Sequence, residues 1–249
     1  VAVGASLIEF SPMIRLPALA RSTHKWLALI VGLQAVLWTA GGVYMTAVHL
    51  DIIHGDHLIR PVQAPPLALA GLMEPARIAE LAPGLNTARL ETQLGQPVYV
   101  VDAQGGKALF DARTGRKLSP LGQAAAEARA KALFALSGDI VSTEYLTTAP
   151  LEMQTRPVPV WRVEFEGAWR PTLYISPVTG ELVARRHDLW RIFDFVWMLH
   201  IMDYDDRQDV NNILLQVFTW LSFAGAATGG WLLLYSFRRR RRRRASAVA

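Results

Sequence analysis

The chain carries six histidines and no cysteine, so imidazole is its strongest metal-binding group. Three of the six crowd one short stretch, "HLDIIHGDHL": His49, His54 and His57, with Asp56 between the last two. Another, His200, sits in "FDFVWMLHIMDYDD", where an apolar run gives way to Asp203, Asp205 and Asp206. His24 stands in "RSTHKWLAL". Neutral imidazole suits iron, and a bis-histidine haem needs two imidazoles on facing limbs. His24, His49 and His200 are therefore candidate haem or metal ligands, and His54, Asp56 and His57 a candidate metal set. The plainer alternative makes His200 an amphipathic border residue and "HGDH" a solvated helix exit. The absence of cysteine excludes disulfides, thiolate-held iron–sulfur clusters, CxxCH haem attachment and cysteine nucleophiles. No GxGxxG, P-loop, HExxH or GxSxG pattern in its required setting occurs, so the chain reads as a non-enzyme or an electron carrier. Glu164 and Glu166 alternate along a strand pattern, which places them on one solvated face.

Two uncharged stretches must position these histidines. Residues 26–48 and 213–237 lack any charged side chain, and at about 1.5 Å per helical residue each covers the roughly 30 Å hydrocarbon core of a bilayer. Arg15, Arg21 and Lys25 precede the first, and an unbroken run from Arg238 to Arg244 follows the second. The positive-inside rule then puts both termini in the cytoplasm and residues 50–212 outside. The arginine run accounts for the net charge of +5; the remainder is slightly acidic. It reads as an anchor to anionic membrane lipids, with no nucleic-acid partner expected. Residues 1–25 lack the pattern of a cleavable signal peptide, so the first span is expected to act as an uncleaved anchor. The second span has no histidine, and His24 has no evident partner at its depth. A haem relay through the bilayer would thus need a homodimer or a redox partner subunit. Gly225 and Gly229 form a GxxxG step that favours close helix packing.

Between the spans, residues 50–73 read as a proline-rich linker and folding begins near Glu74. Ser119 and Pro120 signal the start of an alanine-rich helix, with Leu121, Ala125, Ala128, Ala132 and Leu136 on its apolar face and Gly138 at its end. "DIVSTEYLTT", "VPVWRVEFEG" and "RPTLYISPVTGELVARR" follow as strands. The same order occurs earlier: "PARIAELAPG" as a short helix, "NTARLETQLG" as a strand, then "QPVYVVDAQGGKALFDARTGRKLS", with "AQGGKA" a hairpin turn. Pro97-Val98-Tyr99 lines up with Pro159-Val160-Trp161, and Thr114-Gly115 with Thr179-Gly180. The expectation is an α+β fold, two helix-plus-antiparallel-sheet units over 74–187, inserted between two transmembrane helices assigned to 26–49 and 213–237. Residues 188–212 are expected to form an interfacial helix and acidic turn, with Trp190, Phe195 and Trp197 at headgroup depth. Residues 238–249 form the basic tail.

The helix followed by "VWRVEF…TLYISPVTGELV", the span "STHKWLALIVGLQAVLWTAGGVYM" before it and "LHIMDYDDRQDVNNILL" after it resemble the PepSY superfamily, in its membrane-tethered branch. The resemblance covers most of residues 22–237. It implies a bacterial inner-membrane protein with a periplasmic PepSY domain; larger relatives look like haem-carrying reductases of imported ferric siderophores, while other PepSY domains restrain secreted peptidases. Two functions are thereby expected. One is an accessory or electron-transfer subunit of a membrane redox system, with ferric-siderophore reduction and iron uptake as its setting and haem as its cofactor. The other is a periplasmic binding module that inhibits a peptidase or senses an envelope ligand, a role that exposed strand edges suit.

Overall fold

The structure is a computed structural model that describes residues 16–61 and 70–246. Arg15 and the rest of the first fifteen residues lie outside it, as do residues 62–69 of the proline-rich stretch. The chain divides into two compact units. One holds residues up to Gly41, Leu199–Asp203 and the chain from Asp209; the other holds Gly42–Met198 and Tyr204–Gln208.

Most of the first unit is two long helices, α1 (Leu16–Ala47), which contributes its residues up to Gly41, and α6 (Ile213–Ser246). Within them Arg21–Ala47 and Ile213–Phe237 are long and apolar enough to cross a membrane. The GxxxG step works between these two helices: His24 Nδ1 donates to the Gly225 carbonyl at 3.1 Å and lies 3.3 Å from Thr228 Oγ1. A Cβ added at Gly229 would meet His24 Cε1 at 2.9 Å. His24 therefore does have a partner on the second span, a backbone carbonyl that no side-chain pattern reveals. Lower in the same unit, Gln34 and Trp38 donate to the carbonyls of Leu199 and His200 at 2.7 and 2.8 Å. Those carbonyls end a helix, where the last acceptors lack intrahelical donors.

The second unit contains two antiparallel sheets. The smaller pairs β1 (Leu85–Gln93), β2 (Gln96–Ala103) and β3 (Gly106–Asp111) in sequence order. Ala103 faces Gly106 across a two-residue turn, the hairpin expected from "AQGGKA". Helix α3 (Pro75–Leu81) buries Ile78 with Tyr99, Val101 and Phe110 of this sheet. The larger sheet runs β4 (Ile140–Leu146), β5 (Val160–Phe165), β6 (Thr172–Ile175) and β7 (Leu182–Arg186), one strand more than in the first. Helix α4 (Gln123–Leu133) packs Ala130 and Leu133 onto Val163, Phe165, Leu173 and Ile175.

Helix α4 differs from its expected form. Gly122 is its N-cap, and Ala126, Ala130 and Leu133 are the buried residues, whereas Ala128, Ala132 and Leu136 are exposed. Alanines lie on more than one face of this helix, so periodicity cannot choose the stripe; the larger Leu133 and the following Phe134 decide it. Residues 50–59 also belong to the folded unit instead of a linker. Helix α2 (Leu50–His54) and a single 3₁₀ turn (Asp56–Leu58) bury Ile53 and Leu58, which are 0% and 2% exposed. Arg60 N and Ala135 N bond to the carbonyls of Leu133 and Leu58, which adds this segment beside α4. Gly55 joins the two turns at φ +74°, where a Cβ would meet Leu58 Cδ1 at 3.1 Å, a conformation and a space suited to glycine.

Candidate functional site

The pleat gives the larger sheet a second face. Residues two apart on a strand share a side, so Thr172 and Tyr174 of β6 and Ala184 and Arg186 of β7 lie opposite the α4 core. Across it lies α5 (Asp188–Ile201), whose buried residues Trp190, Asp194, Met198 and Ile201 recur at helical spacing. Trp190 is 8% exposed and lies under the Arg186 guanidinium, 3.8 Å from its ring centroid. Trp190 is thus packed inside the folded unit, and the stacked ring offsets part of the cost of burying the Arg186 cation. Phe195 is on the exposed side.

A polar network joins α5 to this face. Arg191 Nε and Nη2 grip the Glu152 carboxylate at 2.7 and 3.3 Å, Nη1 donates to Asp188 at 2.9 Å and Nη2 to Thr172 Oγ1 at 3.1 Å. The Tyr174 hydroxyl donates to the same carboxylate. Burial alone would raise the Glu152 pKa, but Arg191 and Tyr174 outweigh it and hold the group below its usual range. Burial, then the adjacent carboxylate, pushes the Tyr174 phenol upward. Asp194, 4% exposed, takes a 2.5 Å bond from Arg207. Asp188 also pairs with Arg170 at 2.8 Å.

Next to this network opens a cavity of about 450 Å³. Its walls include Arg156, Arg185 and Arg186, the aromatic residues Trp190, Phe193 and Trp197, and Asp194. Arg185 pairs with Asp56 and also donates to the His54 carbonyl. Arg186 is 3% exposed; its Nε donates to the Glu152 carbonyl and Nη1 to the Arg185 carbonyl, each at 2.7 Å, and Nη2 has no hydrogen-bond partner. Burial and the like charge of Arg156 lower the Arg186 pKa to about 10, so it remains protonated at neutral pH. Pockets of this size with a few convergent polar groups are the usual form of small-ligand sites.

The histidines are dispersed. Among the described residues no three His, Cys, Asp or Glu side chains group to hold a metal ion. His54 borders the cavity, Asp56 pairs with Arg185, and His57 meets the ring of His187 edge-on at 5.5 Å. His49 caps α2, its Nδ1 accepting from Asp51 N at 3.4 Å. The His200 ring lies 6.3 Å from that of Trp38, fourteen residues along α1 from His24, or about 21 Å at the helical rise. His24 and His200 therefore stand at separate levels along α1. His187, for which the sequence reading has no role, is 2% exposed and donates Nε2–H to the Ile52 carbonyl at 2.9 Å. Burial, the first cause, lowers its pKa.

The Glu152, Arg186 and Arg191 constellation escaped sequence reading because its members are separated in the chain. The one local signal was the density of cations in "VARRHDLWR", where two arginines end a strand and a third stands one turn into a helix. No protein-family model, curated protein or solved structure matches this chain.

Proposed function

We propose that the protein is a membrane-tethered, PepSY-like binding module of the bacterial inner membrane, with both termini cytoplasmic and residues 50–212 periplasmic. Its task is recognition of an envelope ligand at the cavity beside β7 and α5. The observation carrying this reading is the cavity itself: concave, partly aromatic, and walled by the buried Arg186 guanidinium, which has no carboxylate at ion-pair distance among the described residues. Among the described residues no three histidine or carboxylate side chains group as metal ligands.

A cysteine introduced at Val183, on the cavity wall, tests side and access together in a chain that has no other thiol. In intact spheroplasts a membrane-impermeant maleimide is expected to label Val183→Cys without lysis. Labelling only after lysis overturns the periplasmic assignment.

A second reading, an electron-transfer subunit for ferric complexes, rests on His24. Its Nδ1–H points to a carbonyl, the arrangement that leaves Nε2 as the ligating nitrogen in many metal sites. Two copies of the chain, or a redox partner, would have to supply the second imidazole.

A further inference from the structure

We propose that the cavity is an anion site that takes a phosphate-type group, held by Arg186 and Arg156, with the attached organic body against Trp190, Phe193 and Trp197. This deepens the binding reading above by naming the ligand's chemical class.

Three observations converge. First, Arg186 is a buried cation on the cavity wall: backbone carbonyls take its Nε and Nη1, Trp190 takes its face, and Nη2, itself sealed from solvent, makes no hydrogen bond, so no carboxylate neutralises it at contact distance. Second, the charges do not balance. Arg185 is matched by Asp56 and Asp194 by Arg207. Among the described residues no carboxylate lies at ion-pair distance from Arg156 or Arg186; the polar contact Arg156 makes is to Gln154 Oε1, at 3.5 Å. Two guanidinium groups of like sign thus share the cavity, and Arg156 is the strongest charge acting on Arg186, opposed by the weaker individual pulls of Glu152, Tyr174 and Asp194, none of them at ion-pair distance. An anion between them relieves the repulsion and the desolvation of Arg186 together. Third, the shape fits an organic anion. Arg156, its guanidinium bonded among the described residues only to Gln154 at 3.5 Å, can turn its fork onto phosphate oxygens while Arg186, whose Nε and Nη1 are committed, adds its charge, and the volume of about 450 Å³ exceeds many times the roughly 30 Å³ share of one water. Asp194, already bonded to Arg207, stands on the same wall and would disfavour an anion larger than the arginine pair can screen.

Such a group could belong to an anionic phospholipid or to a soluble phosphorylated small molecule, and the test separates these sources. The full chain in neutral maltoside micelles is titrated with inorganic phosphate, with glycerol 1-phosphate, and with micelles doped with phosphatidylglycerol, following tryptophan fluorescence. Saturable binding is expected for at least one phosphate compound. Arg156→Gln, at a half-exposed position, is expected to keep the parent circular dichroism spectrum and to weaken binding at least about tenfold, the value of one charge-assisted hydrogen bond. Response to glycerol 1-phosphate assigns a soluble ligand; response to phosphatidylglycerol alone assigns a lipid headgroup. No saturable response in any arm, or unchanged affinity in Arg156→Gln, overturns the proposal. The Val183→Cys labelling is independent of it, so an accessible periplasmic cavity that ignores phosphates would refute the ligand class and leave the binding reading standing.

Discussion

Replacement of Arg191 by methionine removes the cation that docks α5 on the sheet while keeping most of its apolar stem. In the structure Arg191 and Glu152 have side chains 22% and 18% exposed, and four bonds of 2.7 to 3.3 Å tie the guanidinium to Glu152, Asp188 and Thr172. Breaking a buried pair from one side costs about 3–5 kcal/mol, because the remaining charge stays desolvated. Residual exposure lets water reach Glu152, so the expected loss lies at the lower end, about 3 kcal/mol. For a unit of this size that lowers the melting temperature by about 6–12 °C. Glu152→Gln, which keeps an acceptor for Tyr174, should cost about 2 kcal/mol. The double variant should lose less than the sum by about 1–2 kcal/mol, since the two groups form one interaction. Thermal unfolding of the full chain in detergent, followed by tryptophan fluorescence, measures all three. Additive losses, or an Arg191→Met variant within about 0.5 kcal/mol of the parent, would refute the reasoning that this pair seats α5.

Two further outcomes follow from single groups. His187 has a folded pKa below its unfolded value, so between those two values the unfolded chain binds more protons. Stability should therefore fall as pH drops below about 6.5, flatten once the folded pKa is passed, and lose this component in His187→Gln, as seen by unfolding at pH 7 and pH 5. In the helical pair, Gly229→Leu drives a side chain into the space of His24. It should destabilise by about 1–3 kcal/mol in detergent melts, whereas Gly230→Leu, with nothing within 4 Å of its added Cβ, should not.

What the sequence made legible is what short-range chemistry encodes. Alternation in "VWRVEF" and turn residues in "AQGGKA" and "PVTG" place strands and hairpins, and the absence of charge over 26–48 and 213–237 marks the two long apolar helices. Where composition is degenerate, as in the alanines of α4, the buried stripe is set by distant Phe165 and Leu173 and could not be read locally. His24 illustrates a different blindness: its partner is the Gly225 carbonyl, and backbone acceptors leave no residue-type signature. The partner of Trp190 was hidden in another way: Arg186, at the end of the preceding strand, stacks on its ring, and no local pattern signals that contact. The Glu152–Arg191 pair spans 39 positions, so only the folded sheet brings it together.

The central claim, ligand recognition by a tethered module in place of electron carriage, is met most directly by an absorption spectrum. The protein is purified in detergent from a haem-replete host and recorded oxidised and after dithionite. A flat difference spectrum is the predicted result. A reduced haem signal at stoichiometric intensity, lost in His24→Ala, would contradict the account and make the chain an electron carrier.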